Sequence, residues 1–84
     1  MFTENQIKVV ADQLKIRYSN KEARPHEIVV ALVAMHMEKH ITEKDIAKIL
    51  LFILEDKQKT LDVLEYSKEF VTLEIIQEVI DDVT

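Results

Sequence analysis

The chain is 84 residues long, 48% apolar and 32% charged, with a net charge of −5 and neither glycine nor cysteine. That length suits one domain, residues 1–84, and the apolar share is too high for a disordered segment. Without glycine no phosphate-cradling loop, dinucleotide-binding turn, nucleophile elbow or EF-hand loop can be written, and without cysteine no disulfide, thiol nucleophile or cysteine-ligated zinc.

The first predicted helix runs from Glu4 to about Tyr18. Thr3 and Gln6 make a capping box, Phe2 and Ile7 its hydrophobic staple, and Ile7, Val10, Ala11, Leu14 and Tyr18 form an amphipathic stripe. Ser19 to Arg24 is a polar connection, and Pro25 suits the first turn of a second helix that reaches about His40. Residues 28–35 of that helix, Ile-Val-Val-Ala-Leu-Val-Ala-Met, are apolar on every side. Such a helix either occupies the centre of a bundle or offers a surplus face to a partner. The third helix starts after Thr42, with Asp45 as box partner, Ile41 and Ile46 as staple, and Ile46, Ile49, Leu50 and Ile53 as its stripe. The pattern lapses over residues 56–59. Thr60 is the expected cap of a fourth helix carrying Leu61, Leu64 and Tyr66. Ser67 is the expected cap of a fifth, with Phe70, Leu73, Ile76, Ile80 and Val83 on its main face and Val71, Ile75 and Val79 as a second ridge. These last two pieces also read as one bent helix. The expected fold is all-α, a small bundle of four to five short helices with no β-sheet.

Charge divides the chain. Residues 1–40 hold six basic and five acidic side chains, residues 41–84 five basic and eleven acidic ones. An acidic half repels nucleic acid phosphates and favours a basic partner surface, or keeps a greasy domain in solution.

Few residues suggest chemistry. His36 and His40 would share a helix face and could draw a third ligand from Glu43 or Asp45. The intervening Glu38 is at the wrong offset for a zinc hydrolase, so the expected reading is two half-buried histidines, no metal and no cofactor. Hydroxyls fall at capping positions and carboxylates on polar helix sides. The Asp81-Asp82 pair is solvated charge, so no catalytic residue and no enzyme is expected. Thr42 to Leu50 resembles the first helix of a helix-turn-helix, with Ala47 in the small-residue position. The resemblance fails at Leu51 to Leu54, and a recognition helix near Leu61 would carry Asp62 and Glu65. The one basic cluster, Lys15, Arg17, Lys21 and Arg24, is interrupted by Glu22.

The N-terminal residues lack the pattern of a signal peptide and no apolar run reaches 18 residues, so a cytoplasmic, non-membrane protein is expected. The function expected is that of a non-enzymatic protein-binding module, a regulator, adaptor or inhibitor. Its surface is the ridge Val71, Ile75 and Val79 rimmed by Glu69, Glu74, Glu78 and Asp82. The partner is a protein with a basic surface, and homo-oligomerisation is expected from the surplus apolar faces. DNA binding through residues 42–66 is the alternative.

Overall fold

The computed structural model describes residues 1–71 and 73–84. Five helices follow one another: α1 (Glu4–Ser19), α2 (Pro25–Met37), α3 (Glu43–Leu54), α4 (Lys57–Ser67) and α5 (Leu73–Val83). No strand occurs among the described residues, so the architecture is all-α. No helix among them is long and apolar enough to cross a membrane.

Both capping boxes form. The Gln6 N–H donates to Thr3 Oγ1 at 3.2 Å and the Thr3 N–H to Gln6 Oε1 at 2.8 Å. The Asp45 N–H donates to Thr42 Oγ1 at 3.1 Å and the Thr42 N–H to Asp45 Oδ2 at 2.9 Å. Each box satisfies two backbone donors that the helix leaves without partners. At the start of α2, Pro25 occupies the first turn and the Arg24 N–H donates to the Glu27 carboxylate at 2.8 Å.

Helix ends depend on three residues in the left-handed region: Lys21 (φ 61°), Lys39 (φ 65°) and Glu55 (φ 57°). After α1 the Glu22 N–H reaches the Arg17 carbonyl and the Lys21 N–H the Tyr18 carbonyl, a Schellman motif with lysine where glycine is usual. The same motif closes α2: His40 N–H bonds to Met35 and Lys39 N–H to His36. The helix therefore stops at Met37, before the expected His40.

The fourth helix starts earlier than expected. Asp56 is its cap, accepting from the Lys59 N–H at 3.1 Å. Thr60 and Ser67 are not caps. Both are buried within α4 and donate to the carbonyls of Asp56 and Val63, each at 2.8 Å. Back-bonding to the preceding turn satisfies a hydroxyl that has no water to turn to. Phe70 falls in the turn after α4 and is exposed, off the face of α5 where it was expected.

The hub of the bundle is α3, not α2. It buries Ile46, Ala47, Ile49, Leu50, Ile53 and Leu54 and packs against each of the other four helices. α2 buries only one side, through Ile28, Val29, Leu32 and Val33, against α3 and α4. α1 lies across α3 and fully buries only Ala11. Two cations also tie α1 down. Lys15 Nζ bonds to Glu55 Oε1 at 2.8 Å and lies 4.4 Å from the centre of the Phe52 ring, while Lys59 Nζ bonds to Tyr18 Oη at 2.6 Å.

Candidate functional site

With its inner side on α3 and α4, α2 turns Val30, Ala31, Ala34 and Met37 outward. No charged residue lies between Glu27 and Glu38, so the solvent side is as apolar as the buried one. Val30 is 40% and Met37 66% exposed. On one flank α1 contributes Val9, Val10, Gln13, Leu14 and Arg17, which with Ala31 and Met35 line a shallow groove between the two helices. On the other flank stand three aromatic rings. His26 stacks on Phe70 with centroids 5.4 Å apart and meets Tyr66 edge-on at 5.5 Å; Tyr66 and Phe70 are 5.2 Å apart. Tyr66 and Phe70 are each 52% exposed. The outer face of α2 thus lies between a mostly apolar groove that Arg17 borders and an aromatic corner where Lys59 and Asp62 stand beside His26 and Tyr66. Apolar patches of this kind mark contact surfaces, because scattered single residues would suffice if water were the only neighbour.

The ridge expected on α5 is not a surface. Val79 is 0% exposed and belongs to the core, and Val71 and Ile75 are half-buried against it. The core side of α5 is Ile76, Val79 and Val83, because the helix packs on both α3 and α4 and so buries the space between the two expected stripes. Leu73, expected on the main stripe, has its side chain outside the described residues, as has Thr72. Of the expected rim, Glu69, Glu74, Glu78 and Asp82 are all exposed. Among the described residues the exposed side chains of α5 are all polar, Glu74, Gln77, Glu78, Asp81 and Asp82, with no exposed apolar ridge between the acids.

Glu78 has a specific neighbour. Its carboxyl shares one surface groove with that of Glu43 at the start of α3, and Glu43 Oε1 lies 3.2 Å from His36 Nε2. The Glu43 carboxyl beside it, as hydrogen-bond acceptor and then as charge, pushes Glu78 above the usual carboxylate range. Glu43 is lowered, first by its own backbone N–H, then by the neighbouring Glu78 carboxyl and by His36.

The two histidines separate. His36 Nδ1 lies 2.8 Å from the Ile41 carbonyl, whereas His40, beyond the end of α2, stacks on Phe2 at 4.5 Å and lies 3.3 Å from Glu38. The Schellman turn at Lys39 removes the shared helix face that an i, i+4 pair needs. Among the described residues no three His, Asp or Glu side chains converge in a way that could hold a metal ion.

α3 and α4 are joined through Glu55 and Asp56, with Ala47 buried at the small-residue position. The exposed residues of α4 include Asp62 and Glu65, while Lys57 donates to the Thr84 carbonyl at 3.3 Å and Lys59 to Tyr18. A phosphate backbone would meet carboxylates on this face.

The signal for the α2 face was the ten-residue stretch without Asp, Glu, Lys or Arg from Ile28 to Met37. Nothing in the sequence placed His26 beside Tyr66 and Phe70, forty and more positions away. No protein-family model, curated protein or solved structure matches this chain.

Proposed function

We propose that this chain is a non-enzymatic protein-binding module whose contact surface is the outer face of α2. The observation that carries the reading is that Val30, Ala34 and Met37 stand exposed on a helix with no charged residue between Glu27 and Glu38. Affinity would come from covering this stripe and its aromatic corner, since large apolar and aromatic anchors dominate interface energies. The acidic outer side of α5, where the flanking Ile75 and Ile80 are half-buried, acts at longer range, in solubility and in the rate of encounter with basic surfaces.

The test compares two faces of one molecule. A photo-crosslinking side chain is placed at Ala34, on the outer side of α2, or at Gln77, on the outer side of α5, and irradiated in the source cell. Adducts to polypeptide are expected from position 34 and not from position 77. Adducts from 77 alone would move the contact surface to α5 and overturn the reading.

A further inference from the structure

We infer that the groove between α1 and α2 seats an amphipathic helix of a partner protein, with a carboxylate of its first turn against Arg17. The inference deepens the reading just given, rests on it for the class of partner, and states that partner's chemistry.

α1 and α2 both pack on α3 but not closely on each other, so a valley stays open between them. Its floor includes Val10, Leu14 and Met35, each half-buried against the core and open to the valley on its other side. Val9 and Val10 also border a depression at Phe2, Asn5 and Gln6, so the valley continues to the start of α1. From Asn5 to Arg17 it follows α1 for roughly 18 Å, a little over three helical turns. A trough between two helices that rest on a third is where a further helix fits, its ridge in their groove. An extended segment would turn unpaired backbone donors and acceptors toward apolar side chains here. A helix arrives with its own backbone bonds made.

Charge gives the occupant its polarity. Among the described residues no acid lines the valley, Arg17 is its one charge, and its other polar groups are the amides of Asn5, Gln6 and Gln13. Arg17 is exposed and makes no ion pair among the described residues, so its guanidinium is open to a carboxylate, which it can hold through two parallel bonds. A basic partner would meet a like charge there.

The direction follows from the helix dipole. Helices favour acids in their first turn, as α1, α2 and α3 of this chain do with Glu4, Glu27 and Glu43. Arg17 lies in the last turn of α1. A partner helix with its acidic first turn at Arg17 therefore runs antiparallel to α1, its positive end beside the negative end of α1. Apolar residues at i, i+4 and i+7 then face Leu14, Val10 and Val9 in turn.

The probe is a phage-displayed library of helical peptides with randomised faces, selected on the purified full chain. Enriched sequences are expected to carry apolar residues at i, i+4 and i+7 and Asp or Glu in the first turn. Val9→Glu, at a position 59% exposed, is expected to weaken an enriched peptide at least about tenfold in fluorescence anisotropy, with an unchanged helical spectrum. Arg17→Glu is expected to weaken it as much, and a peptide with lysine in place of its acid to recover most of that loss. The inference is overturned by no enrichment, by enrichment of basic first turns, by binding that either variant leaves unchanged, or by a lysine peptide that recovers nothing. The two readings separate cleanly. Adducts from position 34 without an enriched peptide remove the acidic helix and keep the contact face. An enriched, Arg17-dependent peptide without adducts from position 34 keeps the groove and removes the outer face of α2.

Discussion

Lys21, Lys39 and Glu55 hold backbone conformations that glycine takes without steric cost, in a chain that has no glycine. An L-residue in the left-handed region costs about 1–2 kcal/mol, and glycine returns part of that advantage through its larger backbone entropy when unfolded. Lys21→Gly should therefore stabilise the fold by about 0.5–1 kcal/mol, read as a rise in the urea midpoint with unchanged slope. A lower midpoint would show that the Schellman turn after α1 holds no such strain. Glu55→Gly should gain less, because Glu55 also bonds to Lys15 at 2.8 Å. Capping residues show the complementary case: Thr3 and Thr42 are where local chemistry wants them, and both make their boxes.

Between elements, the contact of α3 with α5 brings together two carboxyls, Glu43 and Glu78, whose titrations move in opposite directions. Glu78 is raised, so its contribution to stability is present below its unfolded pKa and is lost as pH rises through the raised value. Glu43 is lowered, so its contribution is present above its unfolded pKa and is lost as pH falls through the lowered value. The pair contributes most between those two points, where one of the two carboxyls is protonated and the other ionised. At higher pH both ionise, with Glu74 adding to the repulsion and His36 opposing it. Glu78→Gln keeps a donor for Glu43 without the titration. Its thermal midpoint should exceed that of the wild type at neutral pH, with the difference closing in acid. Parallel profiles would exclude the titration of this pair as a source of stability.

Over the whole molecule, stability is concentrated in α3. Leu50 is fully buried on the helix that touches all the others. Truncation to alanine at such a site costs about 2–5 kcal/mol, against a total of about 4–12 kcal/mol for a domain of this length. Leu50→Ala should lose at least about a sixth of the unfolding free energy in denaturant titration. A wild-type midpoint would mean that the hub lies elsewhere. α1, which buries only Ala11, and α2, open on one side, surround this hub with unequal cover. The unequal cover is what leaves the outer face of α2 exposed.

Helices and their starts were legible in the residues, because capping boxes, staples and the i, i+4 stripe are relations within one turn of chain. Thr3, Thr42 and Pro25 could be placed without a tertiary structure for that reason. The surplus apolar face of α2 was legible too, as a stretch without charge. Competing local hydrogen bonds hid the start of α4, since Asp56 caps where Thr60 was expected. Which apolar face is covered was not legible. Val79 and Val30 are the same residue, and the less apolar helix buries its valine: Val79 is sealed by α3 and α4 while Val30 faces solvent. Packing between helices distant in the chain decides that difference, as it decides the meeting of His26 with Tyr66 and Phe70 and of Glu78 with Glu43. The sequence by itself determined an all-α chain with too much apolar surface for its helices. Only the tertiary structure decided where the surplus lies, because burial belongs to the neighbours a helix finds and not to the residues it carries.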